Sequence, residues 1–294
     1  MIIGGVDIFF FVSGFGLFFS LNKNNAICYF YKRRLLRIIP LCVICGLLRY
    51  VIDHILPVGK GGYPTGIHEV STDWTTILSW DKWFIPVILI YYLLMPFLNK
   101  IFKDYGKNIL WVVYLLWAVS FILTVYHVTP SYIFFDYMMR FPSFCMGVLS
   151  ACSCFMLTKQ QLWIGLIPVF CATLYKFMMM VGFIEDGSVR DSFNFLLLSL
   201  SIVPVCVCLA KGLSFLERHS VGNVIIVLLQ FLGRHSLELY LVHEFIYRYM
   251  YRFLINTSLP LIVQMIIAIL LSIMIATTLG MIAKRTMRML VVSN

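Results

Sequence analysis

The residues with the most chemistry to offer fall into a few short stretches. Tyr31-Lys32-Arg33-Arg34-Leu35-Leu36-Arg37-Ile38-Ile39-Pro40 sets four cations in six residues, against an apolar run and closed by a proline. Guanidinium forks bind phosphate bidentately, and Arg33, Arg34 and Arg37 together can clamp a diphosphate. Pro40 suits the first turn of a helix, which sets Arg37 just ahead of an N-terminus whose free N–H groups attract anions. Arg34 and Arg37 are three apart and share a face if that stretch is helical. The other reading is a topology anchor, or contact with anionic lipid. Residue types alone do not choose between them.

Asp7 opens a second stretch, Gly4-Gly5-Val6-Asp7-Ile8-Phe9-Phe10-Phe11-Val12-Ser13-Gly14-Phe15. An acid entering an apolar helix is costly unless paired, so it is a functional candidate. It also reads as a helix-start aspartate favoured by the dipole. Ser13, Gly14 and Gly16 mark close helix packing. A third stretch is Phe231-Leu232-Gly233-Arg234-His235-Ser236-Leu237-Glu238-Leu239-Tyr240-Leu241-Val242-His243-Glu244. Tyr240, His243 and Glu244 fall within one helical turn, whereas Glu238 and His243 do not share a face. A histidine inside a span serves as a base or hydrogen-bond donor, or as a neutral structural group. A fourth region, Tyr50–Trp83, holds Trp74, Trp80 and Trp83 near Asp73 and Asp81. It reads as an interfacial aromatic belt or as a platform for sugar rings. Arg140 can pair with Asp136 one turn earlier.

The elements that must position these residues are membrane helices. The 294 residues are 61% hydrophobic and 12% charged, with a mean hydropathy of +0.93. Soluble domains carry about 25% charged residues. The apolar residues gather in long blocks, and the natural unit is a helix of about 20 of them. A transmembrane barrel would alternate apolar and polar residues, and these blocks do not. The expected fold is all-α, a polytopic helical membrane bundle. Nine spans are expected, over 5–21, 38–52, 83–99, 109–126, 139–157, 162–182, 193–210, 235–251 and 259–283. The segment Val224–Leu232 is apolar but too short to span alone. It begins the eighth span or lies along the interface.

Charge orients the bundle. If the Arg33 loop is cytoplasmic, fifteen of the 23 Lys and Arg fall on its side and seven on the other, with Lys176 inside a span. That excess follows the positive-inside rule. Asp53, Glu69, Asp73, Asp81, Asp136, Glu185, Asp186 and Asp191 all fall outside. The net charge of +10 is therefore topology, and no soluble basic module exists to hold nucleic acid. The C-terminus is expected inside and the N-terminus outside. Eight of the nine cysteines lie in apolar spans and Cys28 in an inside loop, so no disulfide framework is expected. Cys42 and Cys45 form a CxxC, but no histidine or second CxxC joins them, and no metal site is expected.

Together these residues resemble the acyltransferase-3 family of bacterial integral-membrane proteins. The stretch Gly5-Val6-Asp7-Ile8-Phe9-Phe10 with Ser13-Gly14, followed by the basic cluster, is similar to the family's early motifs. Trp83-Phe84-Ile85 and Tyr91-Tyr92-Leu93-Leu94-Met95-Pro96 resemble its fourth span. Leu232 to His243 resembles its late motif. The order and spacing agree over essentially the whole chain, so residues 1–294 are expected to form a single membrane acyltransferase domain.

The resemblance implies about ten spans in the bacterial inner membrane. It implies transfer of an acetyl or other short acyl group from cytoplasmic acyl-CoA to a hydroxyl of a surface or secreted glycan. The implied partners are membrane lipid, acyl-CoA as donor substrate and a glycan acceptor, with no bound cofactor. The family's arginine pair maps onto Arg34 and Arg37, with Arg33 beside them, at the acyl-CoA end. Its aspartate maps onto Asp7 and its late histidine onto His243, the catalytic candidate of this chain. Asp7, Trp83, Arg140, Tyr240 and Glu244 are the candidates for contact with the acceptor. The family's first helix, which carries a basic residue and then a histidine, has no counterpart ahead of Gly4. The chain is therefore expected to be N-terminally incomplete. Two other classes fit parts of the pattern. A secondary transporter also uses intramembrane acids and histidines but usually carries an internal repeat, and none is visible. A non-catalytic relic or scaffold fits the missing helix.

Overall fold

Lipid offers the backbone no hydrogen-bond partner, so each crossing segment must close its own ladder. The computed structural model describes residues 5–23, 27–55, 84–125, 132–153, 157–181, 188–218, 220–243, 246 and 259–292. These are almost wholly helical, with no strand among the described residues. The helices are α1 Gly5–Lys23, α2 Ile27–Ile55, α3 Phe84–Tyr105, α4 Ile109–Val125, α5 Tyr132–Ser153, α6 Lys159–Met180, α7 Ser188–Leu216 and α8 Ser220–Arg234. Then come α9 Ser236–His243 and α10 Leu261–Val292. Among the described residues, five helical stretches are long and apolar enough to cross a membrane, or six if α8 and α9 form one span. The protein is a multi-pass helical membrane bundle. The expected spans 38–52 and 139–157 fall in α2 and α5, which are not among those stretches. α5 carries Asp136, Arg140 and several serines, and the first half of α2 carries the basic cluster.

The chain forms two compact units: Met1–Tyr31 with Lys82–Phe215, and Lys32–Asp81 with Leu216–Asn294. In the first, α1 packs chiefly on α5. Two glycines permit the approach. A Cβ on Gly14 would strike the Phe144 carbonyl oxygen, and one on Gly147 would strike that of Phe11. Lipid tails are as apolar as the helices, so association rests on such close van der Waals contact. Around it, Phe10 packs against Phe84 and Tyr91, with ring centroids 5.5 and 5.3 Å apart. Tyr91 in turn lies 4.9 Å from Phe144.

α3 and α4 reverse on each other at Gly106, whose φ of 55° suits a residue without Cβ. The neighbours on α5 establish the reversal. Tyr91 stands level with Phe141 and Phe144, and Phe102 with Cys152, so α3 runs parallel to α5. Trp117 of α4 packs on Met139, near the same level as Tyr91. The 40-residue apolar stretch Phe84–Leu123 is thus a hairpin of two spans, as the sequence reading expected. α1 runs alongside α3 in the same direction. Its far end is tied by Asn22, which receives a 2.6 Å hydrogen bond from Lys103 and faces Asn99. α6 begins at a capping box: Thr158 Oγ1 accepts from Gln161 N at 3.2 Å, and Thr158 N donates to Gln161 Oε1 at 3.0 Å.

In the second unit, α2 runs unbroken through the basic cluster. Pro40 is its fourteenth residue, not its first turn. The expectation that Arg37 precedes a helix N-terminus is therefore incorrect. Proline can sit inside a membrane helix, where it only removes the donor to the Leu36 carbonyl. With 29 residues, α2 is about 43 Å long, more than the thickness of a hydrocarbon core of about 30 Å. Val224–Leu232 lies within α8, a helix of its own. The axis turns by 70° between α8 and α9.

Substituting Gly147→Leu should lower the melting temperature in detergent, with an overpacking cost of about 1–3 kcal/mol or more. Gly16→Ala, where an added Cβ meets nothing within 4 Å, should leave the melting temperature within error. Equal melting of the two variants would refute the backbone-contact account.

Candidate functional site

Polar side chains gather in two places, one in each unit. In the first unit, α1 and α5 bring together Asp7 and Arg140, 133 residues apart in sequence. Asp7 has no exposed surface. Arg140 Nη1 donates to its Oδ2 in an ion pair, and Ser143 Oγ donates to its Oδ1 at 3.0 Å. Both carboxylate oxygens are thus engaged. The Arg140 guanidinium also lies 3.9 Å from the ring centroid of Phe195, a cation–π contact. Asn194, buried beside Phe195 in sequence, keeps an unpartnered Oδ1. An acid in this position needs a countercharge, and the glycine contact places Arg140 there. The expected partner of Arg140, Asp136, has its side chain outside the described residues. Sequence spacing pointed to that local acid because it is blind to helices that meet across 133 residues.

In the second unit, the helical course of α2 puts Arg33, Arg34 and Arg37 within an arc of about 100°. Arg33 and Arg37 are exposed, whereas Arg34 is half-buried. Ile38, Leu41 and Cys45 continue Arg34's stripe as buried residues. The arrangement can present several charged donors to one polyanion.

The late stretch divides at the bend. His243 and Tyr240 are brought together on α9, with ring centroids 5.5 Å apart. His243 is exposed, and its Nδ1 lies 2.6 Å from the Tyr240 carbonyl oxygen and 3.2 Å from that of Leu239. A ring nitrogen so placed carries the proton, which leaves Nε2 as the basic atom of a neutral imidazole. Glu238 and His235 face Gly280 of α10. Sequence reasoning made neither of them a site candidate, nor Ser143 or Phe195. Gly233 and Ser236 around the bend, and Gly280 in an apolar span, were the available signals. Glu244, Trp74, Trp80 and Trp83 lie outside the described residues. Among the described residues, no group of three or more His, Cys, Asp or Glu can hold a metal ion.

The family model described as an acyltransferase domain, acyltransferase-3, matches residues 3–284. The chain belongs to this acyltransferase-3 family. No curated protein and no solved structure matches it. The match supports an acyltransferase, and it covers both polar groups just described.

Asp7→Ala and Arg140→Ala should each destabilise the protein by about 3–5 kcal/mol, since each removes one side of a buried ion pair. The double substitution should cost clearly less than the sum. Additive losses in thermal melts of all three variants would show that the pair is not coupled.

Proposed function

We propose that this acyltransferase moves an acetyl or other short acyl group from cytoplasmic acyl-CoA to a hydroxyl of a surface or secreted glycan. The observation that carries this reading is the course of α2. One continuous helix presents Arg33, Arg34 and Arg37 within one arc of its first half. Coenzyme A carries a diphosphate and a further phosphate, the ligand class that several guanidinium groups bind best.

On this reading the enzyme lies in the bacterial inner membrane with the arginines and the C-terminus in the cytoplasm. The donor's phosphates dock on Arg33, Arg34 and Arg37. The acceptor's hydroxyl loses its proton to a base, and its oxygen attacks the thioester carbonyl as the thiolate leaves. His243 is the sequence's nominee for that base. Asp7, Arg140, Tyr240, Trp83 and Glu244 are the nominees for contact with the acceptor. Asp7 has no exposed surface and spends both carboxylate oxygens on Arg140 and Ser143, so its part is to hold Arg140, the partly exposed member of the pair, in place for the acceptor. The enzyme retains no cofactor of its own in this scheme. Lipid, acyl-CoA and the glycan are its partners.

Arg34→Ala and Arg37→Ala should each weaken acetyl-CoA binding by roughly tenfold or more, the loss expected for a charge-assisted hydrogen bond. The wild-type affinity should fall as salt rises. Unchanged affinity in the double variant, measured by calorimetry, removes the phosphate clamp. The orientation has a separate check. Cys28, exposed near the start of α2, should react with a membrane-impermeant maleimide only after the cells are opened. Labelling of intact cells at Cys28 would reverse the assigned sides.

A further inference from the structure

The bend between α8 and α9 creates a second histidine environment, unlike that of His243. His235 is the turn residue itself, where the axis changes by 70°. Glu238 follows in the first turn of α9 and is 7% exposed. Its Oε2 and the His235 Nδ1 are both buried, and neither has a hydrogen-bond partner. Both side chains close on Gly280 of α10. A Cβ there would stand 3.1 Å from Glu238 Oε1 and 3.3 Å from His235 Nδ1. Those two distances cap the separation of the two atoms at about 6.4 Å. The Cys45 thiol of α2 is a further titratable group within electrostatic reach of Glu238.

A carboxylate with an unpartnered oxygen in a water-poor interior is costly. Buried polar atoms left in this state mark strain, an ordered water or a catalytic role. The two ends of the His235 ring are in different situations. Nδ1 is buried without a hydrogen bond, whereas Nε2 is not buried and makes no hydrogen bond to a described residue. A buried ring nitrogen within about 6.4 Å of a carboxylate oxygen, with the other nitrogen open, suits a general base whose orienting hydrogen bond closes only when substrate binds. His243 has its Nδ1 tied to carbonyls of its own helix instead.

We propose that His235 is the base that takes the acceptor's hydroxyl proton, and that Glu238 is the positioning residue that holds its ring. The inference rests on the acyl-transfer reading above. In the step, the hydroxyl O–H bond breaks and its proton passes to His235 Nε2. The freed oxygen pair forms the C–O bond to the thioester carbonyl. The C–S bond breaks, and the departing thiolate takes the proton back from the imidazolium. Glu238 steadies the positive ring during that interval. A methyl group on Gly280 would sit tight against both groups, and each would have to give by a few tenths of an ångström.

The test uses the full chain in lipid nanodiscs, with radiolabelled acetyl-CoA and total surface polysaccharide from the producing cells as acceptor. His235→Gly should lower turnover by roughly 100-fold or more while acetyl-CoA still binds, and added imidazole should restore part of it. Glu238→Gln should lower kcat by about tenfold with KM unchanged, the pattern of an interaction made only in the transition state. His235→Gln guards against a folding failure in the glycine variant. Wild-type turnover in His235→Gln overturns the proposal. So does a folded, donor-binding His235→Gly that imidazole cannot revive, or a Glu238→Gln whose loss lies in KM. A wild-type protein that transfers nothing fails at the acyl-transfer reading itself, before any variant is compared.

Discussion

Two glycines that let α1 and α5 meet backbone to backbone are the constraint on which the first unit depends. Gly14 and Gly147 leave room for each other's partner carbonyls at Phe144 and Phe11. That approach sets Asp7 against Arg140 and Ser143, and the aromatic cluster from Phe10 to Phe144 fills in around it. The energetic order matters. In lipid, apolar side chains gain little by leaving their surroundings, so geometry at the contact decides which helices pair. The ion pair depends on that contact, because a charge pair held loosely in a membrane would not repay its desolvation.

The second unit is organised differently. Its polar groups lie on one long helix and beside one sharp bend. α2 carries the arginines in its first half and the buried Ile38, Leu41 and Cys45 above them. The bend at His235 brings a carboxylate and an imidazole to Gly280, and the His235 N–H and carbonyl stay hydrogen-bonded across it. Breaks of this kind in a membrane helix persist only where protein or water can satisfy the exposed groups.

Much of this architecture was legible in the sequence. Apolar blocks of the right length announced the helices, and Gly106 falls between two of them as a turn. Ser13, Gly14 and Gly16 signalled close packing; Gly14 makes it, whereas an added Cβ on Gly16 meets nothing. Pro40 misled, because a soluble-protein rule for proline was applied to a helix that lipid and neighbours can support. The need of Asp7 for a partner was readable, but the partner was not. Arg140 is distant in sequence, and nothing in its spacing says which helix it will face. Glu238 escaped notice for a related reason. Its face was judged against His243, whereas its neighbours are His235 across the bend and Gly280 on α10.

The separation of Asp7 from Arg140 also bears on how the protein is made. Membrane helices leave the ribosome in order, and 133 residues lie between the two partners. At about 5–20 residues per second, α1 waits on the order of ten seconds for its cation to be synthesised. Throughout that interval the helix holds an acid with no arginine to meet it. The chain therefore carries a vulnerable stage in its own biogenesis, which ends when α5 inserts and the glycines close.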